Sequence, residues 1–583
     1  MSIEIRLYEN HLKLFINLLR RIDSGDVVRT FSIRKNIEKF LRLFSERKVQ
    51  IVLLIFVFAF SLRLLCFGIN PLVGLLIPDA VRVLLLSESL SLGLGFTRFG
   101  HPEDKFPPLS SLIIACSYML GGISYQSALV PLIIIGSLTI IPVYLLGKRL
   151  FDYRTGVIAA IFIAVNPALW LFSGIPMSET IFTFFSLCAL YYLSIKREKR
   201  NQFIGGILTG LAYLSRYVGV LIIVAYIFLI AFEIIKKKQA RDLLSVCLWF
   251  IIGLLIVTFP WLLRNTILFG NPLSTRYIAD LWRDPTSTGI SAEYSGTQNI
   301  FEYLRTHSFL DVLLRLWGGL FSYAFLSVFI FPITILFFAI PGFYFAGKRE
   351  NIRLLYYYLV VYMIFFAWYP TRYHRYLIPL VPLISIFAAM AISRIFDIKN
   401  SWNFLSSKKI QLSKVLGGFT LTFIISINLY SILLIFSLTT PQNPYSSLNI
   451  GYLTPINEIA ETQLIKYRVI PSPASEEYVK AAEWLKDHAG PKSVVIAHKP
   501  LVFHYFSRLK AVGFPNIYQN KTLEYRIVDS NVSYLVLDSM SPESREYFPE
   551  LYFERDFPNN FTLIYKVENP RTLIYYIERS ESS

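Results

Sequence analysis

Long apolar runs separated by short polar connections dominate the chain up to residue 440. The first run covers residues 51–67 and ends at Gly68. A helix needs about 20 residues to cross about 30 Å of hydrocarbon, and every run except the short one at 203–215 is near that length. The pattern therefore predicts about eleven membrane-spanning helices. After the first, they are expected at 126–147, 155–172, 180–195, 203–215, 218–235, 243–263, 317–346, 353–369, 376–393 and 415–437.

The stretch between the first two of these spans has a different pattern. Asp79 opens a run of mostly apolar residues that ends at Gly93, and about a dozen residues are too few to cross a bilayer. A second short apolar stretch begins at Leu109. Short apolar helices of this kind lie in the membrane interface. The pattern predicts a structured outer loop over residues 68–125, containing two interfacial helices and a polar turn. The turn carries His101, Glu103, Asp104 and Lys105.

The two ends of the chain are more polar than the region between them. Residues 1–48 carry paired basic residues with modest apolar periodicity, which predicts a cytoplasmic amphipathic segment. The membrane domain then covers residues 49–440. Residues 470–583 predict a small soluble α/β domain, with a helix from Ser475 to His488. Its strands are expected at 494–497 and 534–538 in the core, and at 561–567 and 572–577 at the edges.

Composition and charge support a membrane protein with a defined orientation. The chain is 54% hydrophobic and 16% charged, whereas soluble domains carry about 25% charged residues. The net charge is +18, but the basic residues form short clusters between apolar runs. That arrangement follows membrane topology and argues against a nucleic acid partner. The clusters place the amino terminus in the cytoplasm and both the loop 68–125 and the C-terminal domain outside the plasma membrane. They lie at residues 148–154, 196–200, 236–241, 348–353 and 394–414.

Acidic residues on the outward side are candidates for chemistry or for a metal. Asp79 follows Pro78 at a helix start, where a carboxylate can cap the helix; a charge at the lipid boundary also suggests a function, and both roles stay open. Glu179 lies at the outer end of a span, where it can favour the helix terminus or face Asp79 across a cleft. No cofactor is certain, and a divalent cation held by oxygen ligands is a candidate. The possible ligands are Glu103, Asp104 and Glu179.

Four arginines lie at outward ends of spans, where the positive-inside rule predicts few basic residues. They are Arg216, Arg264, Arg372 and Arg375. One explanation is snorkelling or pairing with outer carboxylates. The other is phosphate binding, because the arginine fork grips phosphate with two hydrogen bonds. Several such cations on one face beside Asp79 favour phosphate.

These motifs resemble the GT-C class of polyprenyl-phosphate-dependent glycosyltransferases, in particular the branch with protein O-mannosyltransferases and the lipid A aminoarabinose transferase. The blocks follow the family's order across residues 50–395. They are Asp79 after the first span with Lys105–Leu109 (KFPPL), Pro176–Thr180 (PMSET), Gly210–Arg216 (GLAYLSR) with Phe259–Asn265 (FPWLLRN), and Arg375–Pro382 (RYLIPLVP). Two positions depart from the family. Ala80 follows Asp79 where the mannosyltransferases carry an Asp-Glu pair, and Phe106 lengthens a K-P-P-L motif.

The resemblance implies a GT-C fold and a membrane enzyme with a polyprenyl-phosphate sugar donor, dolichyl or undecaprenyl. The sugar would move with inversion to a protein, lipid or glycan acceptor on the outer face. Asp79 is then expected to be the general base, and Glu179 to position the acceptor or hold a cation. Lys105 and the four arginines would bind the donor phosphate. The acceptor or sugar pocket would include His101, Tyr373 and Tyr376.

Two interpretations from other functional classes remain open. The chain could be a transporter or flippase of lipid-linked glycans, or a non-catalytic membrane subunit of a glycan-assembly complex. Transporters usually place interrupted helices at the membrane midplane. Here the ionisable residues gather at the outer surface, which favours the enzyme.

Overall fold

The architecture is that of a helical membrane domain followed by a small mixed α/β domain. In a computed structural model, the described residues are 47–195, 197–237, 240–275, 277, 281–282, 300–347, 349–397, 401–402, 410–439, 473–514, 530–539, 561–568 and 571–578. The predicted amphipathic segment lies outside these residues except at positions 47 and 48. The α-helices of the membrane domain are α1 (Arg47–Leu64), α2 (Leu72–Leu75), α3 (Pro78–Ser91), α4 (Leu109–Gly121), α5 (Tyr125–Leu138), α6 (Ile140–Leu150), α7 (Tyr153–Ala164), α8 (Pro167–Ser173), α9 (Glu179–Ser194), α10 (Lys199–Ser215), α11 (Val220–Lys237), α12 (Ala240–Phe269), α13 (Ile300–Thr306), α14 (Phe309–Ile330), α15 (Ile333–Ala346), α16 (Arg353–Trp368), α17 (Val381–Asp397) and α18 (Leu412–Thr439).

The described part of the chain contains eight helical segments that are long and apolar enough to cross a membrane. A ninth is obtained if α7 and α8, which meet at 55°, form one broken span. The chain is therefore a multi-pass membrane protein, as predicted. The predicted number of about eleven also counted α9 and α10, which are helices of 16 and 17 residues. Both are shorter than the roughly 20 residues of a full crossing.

Prolines break two predicted spans into separate helices. In the span 155–172, Asn166 caps α8 by accepting a hydrogen bond from the Leu169 amide at 2.9 Å, and Pro167 takes the first helical position. The predicted single span 317–346 is also wrong. It consists of α14 and α15, which meet at Phe331 and Pro332. Proline lacks an amide hydrogen and disfavours helical geometry at the residue before it, so an apolar run alone does not reveal the break.

Glycines let α10 and α12 pack with their backbones in close contact. A Cβ atom added to Gly206 would lie 2.1 Å from the carbonyl oxygen of Phe250. A Cβ atom added to Gly253 would lie 2.1 Å from the carbonyl oxygen of Phe203. The two helices thus approach through a pair of reciprocal glycine contacts. Small residues at helix interfaces serve this purpose in membrane proteins.

Replacing Gly206 with valine is expected to push α10 and α12 apart and to destabilise the protein by about 1–3 kcal/mol, the usual cost of overpacking. The measurement is the thermal unfolding midpoint of the purified protein in detergent. Gly418→Val is the matched control, because no other group lies within 4 Å of a Cβ atom built at Gly418. Equal midpoints for the two variants would contradict the close packing.

A fully buried arginine joins α1 to the helices that follow. Arg63 has no exposed side-chain surface. Its Nε donates to Ser173 Oγ at 3.3 Å, Nη1 to the Ala59 carbonyl at 3.3 Å and Nη2 to the Ile163 carbonyl at 3.2 Å. A guanidinium facing lipid is costly. These neutral acceptors on α1, α7 and α8 remove that cost in the folded bundle.

The loop 68–125 contains the two predicted short helices, α3 and α4, and a two-stranded hairpin. Helix α3 begins at Pro78 after extended Ile77, and it makes no side-chain capping hydrogen bond. The capping role considered for Asp79 is therefore wrong. The hairpin pairs β1 (Thr97–Arg98) with β2 (His101–Pro102). Phe99 and Gly100 form its turn with φ of 54° and 80°, which is the geometry of a tight hairpin turn.

The described part of the C-terminal domain contains a five-stranded sheet and two helices, α19 (Pro473–His488) and α20 (Pro500–Ser507). The strand order is β6-β5-β7-β9-β8. The predicted core strands and the long helix are confirmed, whereas α20 and β6 were not predicted. The final hairpin was assigned to the edges, but β9 lies between β7 and β8. A second short hairpin in the membrane domain pairs β3 with β4. The strands are β3 (Ser401–Trp402), β4 (Ile410–Gln411), β5 (Val494–Ile496), β6 (Lys510–Val512), β7 (Tyr534–Asp538), β8 (Phe561–Glu568) and β9 (Arg571–Ile577).

Candidate active site

An ion pair between Asp79 and Arg375 lies at the centre of the candidate site. Asp79 is in the first turn of α3, and Arg375 is in the 3-10 segment His374–Leu380 that leads into α17. Arg375 Nη2 lies 2.5 Å from Asp79 Oδ2. The Asp79 side chain is 32% exposed and that of Arg375 is 15% exposed. The carboxylate is thus held by the bundle and still accessible to a ligand.

Positive charges hold the Asp79 carboxylate in its ionised form. Burial raises the pKa of Asp79, but the charges of Arg375 and Lys105 outweigh it, together with the hydrogen bond from Arg375 and the charge of Arg82. The result is a pKa of about 2, below the ordinary value of 3.8. Asp79 can therefore accept hydrogen bonds at neutral pH.

Two tyrosines surround Arg375. The guanidinium carbon lies 5.1 Å from the ring centroid of Tyr373 and 5.4 Å from that of Tyr376. Such cation–π contacts fix the orientation of an arginine. Tyr376 is buried, whereas Tyr373 is 49% exposed. Of these two tyrosines, which were predicted together with His101 for the sugar or acceptor pocket, Tyr373 therefore has the surface that a ligand could contact.

A second, more buried ion pair joins Glu179 to Arg216. Glu179 Oε1 lies 2.6 Å from Arg216 Nη1, and the glutamate side chain is 1% exposed. Arg216 also donates to Ser178 Oγ at 3.2 Å and lies over the Tyr376 ring at 5.8 Å. Tyr376 thus touches the arginines of both pairs. Glu179 is also near enough to act electrostatically on Arg375. The expectation that Glu179 positions the acceptor or holds a cation stays a prediction; in this structure its carboxylate is buried against Arg216.

Replacing Glu179 with alanine is expected to cost about 3–5 kcal/mol, because it leaves the Arg216 guanidinium buried without its carboxylate. The measurement is the free energy of unfolding in detergent. A double variant, Glu179→Ala with Arg216→Met, should recover most of the loss, and exposed Glu198 provides a control as Glu198→Ala. A small loss in Glu179→Ala would mean that the pair is not needed for stability.

Glu103 organises the polar turn of the loop 68–125. It is buried and lies 3.1 Å from both Arg82 Nη1 and Arg98 Nε. It also accepts the backbone amide hydrogen of Lys105 at 2.9 Å. Burial raises the pKa of Glu103, but the charges of Arg82 and Arg98 outweigh burial and lower it. The Glu103 carboxylate therefore fixes the side chain of Arg82, which is on α3, and the backbone of Lys105.

Two residues of the site were not predicted. Arg82 acts on the charge of Asp79 and lies 5.3 Å above the Phe106 ring. It follows Asp79 by three positions on one helix, which places both residues on one face. This spacing can be read from the sequence. Tyr277 lies 5.6 Å from Lys105 Nζ and stacks on Phe106 at 5.8 Å. Burial raises the pKa of Tyr277 well above its ordinary value, and the Asp79 charge adds to this. No pattern around Tyr277 indicated its position.

The site has a surplus of positive charge and unused hydrogen-bond donors. Asp79, Glu103 and Asp104 supply three carboxylates against the four cations Arg82, Arg98, Lys105 and Arg375. The buried Nε atoms of Arg82 and Arg375 have no hydrogen-bond partner among the described residues. Buried polar groups are rarely left without partners, and an anion that accepts hydrogen bonds would satisfy these two.

The hydrogen bonds of the remaining two arginines go to groups other than the Asp79 carboxylate, and one of these groups lies in the loop 68–125. Arg264 donates to the Phe96 carbonyl at 3.2 Å and lies 4.5 Å from the Trp261 ring centroid. Arg372 donates to Ser322 Oγ at 3.1 Å and to the Arg315 carbonyl at 3.4 Å. Neither acts on the charge of Asp79 as Arg375 does. Their role in phosphate binding stays a prediction.

The residues considered for a metal are dispersed. Glu103 and Glu179 are engaged by arginines, and the Asp104 carbonyl accepts a hydrogen bond from the Tyr217 hydroxyl at 3.2 Å. His101 is exposed on the hairpin. Within the described ranges, no group of three or more His, Cys, Asp or Glu side chains could hold a metal ion. A divalent cation therefore remains a prediction, with no cluster in this part of the chain to support it.

Comparison with known proteins gives a family for one part of the chain. Residues 105–263 match the family described as dolichyl-phosphate-mannose-protein mannosyltransferase. The match begins at the Lys105 block and includes the positions of Glu179 and Arg216. No curated protein matches the chain.

Solved structures show the fold of the whole. The chain is similar to ArnT from Cupriavidus metallidurans in the apo state, with a TM-score of 0.53, 14% identity and coverage of 90% of this chain and 97% of that one. It is also similar to ArnT bound to undecaprenyl phosphate, with a TM-score of 0.52, 14% identity and coverage of 91% and 98%. The apo oligosaccharyltransferase from Archaeoglobus fulgidus gives a TM-score of 0.52, 16% identity and coverage of 84% and 69%. The predicted GT-C fold is thus confirmed.

Proposed function

We propose that this protein is a membrane glycosyltransferase that moves a sugar from a polyprenyl phosphate to an acceptor, with inversion at the sugar carbon. The observation that carries the proposal is an accessible, ionised Asp79 beside Arg82 and Arg375, each of which has a buried Nε without a hydrogen-bond partner among the described residues. The family matched at 105–263 is described by a dolichyl-phosphate-mannose donor, and one ArnT structure contains undecaprenyl phosphate. Both support a lipid-phosphate donor.

In the proposed mechanism, the donor phosphate takes over hydrogen bonds from Arg375. The phosphate oxygens accept from Arg375, Arg82 and Lys105, and Asp79 loses part of the field that depresses its pKa. The acceptor oxygen then attacks the anomeric carbon on the face opposite the phosphate while its proton passes to Asp79. The bond between that carbon and the phosphate oxygen breaks, and the electron pair leaves with the polyprenyl phosphate.

The surplus positive charge of the site suits the increase in negative charge on the donor phosphate during the reaction. The donor is a phosphodiester with one negative charge, and the leaving monoester carries about −1.5 to −2 at pH 7. Four cations against the three carboxylates of Asp79, Glu103 and Asp104 stabilise the charge that develops during departure. Such preorganised groups contribute most where the transition state gains charge. Because phosphate is a good leaving group, a single carboxylate suffices where glycoside hydrolases use two.

We place the reaction on the outer face of the plasma membrane. The proposal rests on the basic clusters, which put the amino terminus in the cytoplasm and the C-terminal domain outside. The acceptor is a protein, a lipid or a glycan that reaches Asp79 from that side. The exposed face of Tyr373 is available to its sugar or acceptor group.

The test is to incubate the purified protein in lipid nanodiscs with labelled dolichyl-phosphate mannose or undecaprenyl-phosphate sugars and candidate acceptors. A new glycosidic bond, inverted anomeric configuration and released polyprenyl phosphate are expected. In sealed vesicles, movement of label across the bilayer without a new bond would instead favour a flippase. Repeating the assay with EDTA decides whether a divalent cation is needed.

A further inference from the structure

The C-terminal domain contacts the loop 68–125 at three points around helix α20. Lys499 Nζ donates to the Leu76 carbonyl at 3.3 Å. Arg508 Nη1 lies 3.2 Å from both carboxylate oxygens of Glu88. The His504 ring packs edge-on against Phe99, with centroids 4.4 Å apart. These contacts join residues more than 400 positions apart in the chain, so the folded domain brings them together.

The three contacts lie before helix α3, in its last turn and in the hairpin turn that follows it. Leu76 precedes Asp79 by three residues, and Glu88 is in the last turn of α3. Phe99 forms the hairpin turn that leads to Lys105. The domain thus holds helix α3 at its start and its end, and holds the turn beyond it. Asp79 lies inside the segment that is held, between Leu76 and Glu88, and Lys105 follows the contact at Phe99 along the chain.

The contact at Leu76 is buried and involves a charged group. Lys499 is 7% exposed, and a buried ammonium is costly unless it is hydrogen-bonded. Leu76 also immediately precedes Ile77, the N-cap residue of α3. At the hairpin, Phe99 has a φ of +54°, which is uncommon for a residue other than glycine and needs support from its surroundings. His504 provides a contact of this kind.

We propose that the C-terminal domain clamps the loop 68–125 and that Lys499 is a positioning residue for Asp79. The inference rests on the proposed function, because it assigns the clamp to the rate of sugar transfer. Asp79 must keep its place relative to Arg375 and the donor, and a displacement of about 1 Å can lower a rate by about 100-fold. The clamp therefore acts most strongly on kcat. Its effect on donor affinity is smaller, because Arg375 lies outside the clamped segment and still binds the donor phosphate.

The first test uses Lys499→Met in the full-length protein in nanodiscs. We expect kcat to fall by about 10- to 100-fold, with a smaller rise in the donor KM, because Arg82 lies on the loosened helix and Arg375 does not. Lys499→Arg should restore most of kcat, because it keeps a charged donor. Lys510→Met is the matched control, since Lys510 is exposed in the same domain. An unchanged kcat in Lys499→Met would overturn the proposal.

The second test reverses the charges at the other end of α3. Glu88→Arg and Arg508→Glu should each lower kcat, and the double variant should recover it because the pair is re-formed. A structural role of either residue alone predicts that the losses add. Additive losses would therefore contradict the clamp.

Hydrogen–deuterium exchange separates this inference from the proposed function. In Lys499→Met, amides of residues 76–105 should exchange at least threefold faster, while those of strand β7 remain protected. This readout needs no catalytic activity. If Lys499→Met exchanges faster and the wild-type protein shows no sugar transfer, the clamp is supported and the glycosyltransferase is rejected. Unchanged exchange beside a working transferase would reject the clamp alone.

Discussion

Asp79→Asn is expected to lower kcat for sugar transfer by about 10²–10⁴-fold, the usual contribution of a general base. Asparagine has nearly the same shape and can still accept a hydrogen bond from Arg375, but it cannot take the proton of the acceptor. The measurement is the initial rate with labelled donor, beside a separate measurement of donor binding. Binding should persist, because the cations of the site remain.

Asp487→Asn is the matched control for this change, since Asp487 is exposed on the C-terminal domain. It should leave the rate unchanged. Thermal unfolding of both variants tells a catalytic effect from a loss of fold. A transfer rate near the original value in correctly folded Asp79→Asn would reject Asp79 as the base.

Arg375→Gln is expected to lower kcat/KM for the donor by about 10²–10³-fold, as for the loss of one charge-stabilising donor in other enzymes. It should also change the pH dependence. The pKa of Asp79 is about 2 beside Arg375, so Asp79 stays ionised at higher pH values. Protonation of Asp79 should therefore cause no fall in kcat/KM between about pH 7 and 4. Without the arginine the pKa rises, protonated Asp79 cannot accept a proton, and the acidic fall moves to higher pH.

The measurement is a pH profile of kcat/KM, which reports groups of the enzyme without substrate. Arg372→Gln is the matched control, since Arg372 lies three residues earlier and bonds to Ser322 and to the Arg315 carbonyl. A much smaller effect is expected there. Equal losses in the two variants would show that Arg375 has no special relation to Asp79.

The membrane fold follows from the sequence more directly than the contacts of the site do. Apolar runs predict helices because each span satisfies its own backbone in lipid. They do not predict where Pro167 and Pro332 interrupt a run, since proline occurs both within and between membrane helices. The apolar count also cannot separate a full crossing from the shorter helices α9 and α10.

The contacts of the site could be predicted from the sequence only in part. Topology placed Asp79 and Arg375 on one side of the membrane, but their pairing joins positions 296 residues apart. Such a contact depends on how helices pack, which no local pattern specifies. Arg264 and Arg372 shared the predicted side and have other partners. Arg82 could have been found from its spacing to Asp79, whereas Tyr277 could not.

Buried Arg63 has a consequence for how the protein is made. Two of its acceptors lie in residues synthesised 100 and 110 positions later, at Ile163 and Ser173. Until that segment has been synthesised, the Arg63 guanidinium lacks these two acceptors, which is costly for a charged group in lipid. We therefore expect the arrival of α7 and α8 to stabilise the insertion of α1. Biogenesis and assembly of this bundle are coupled through one side chain.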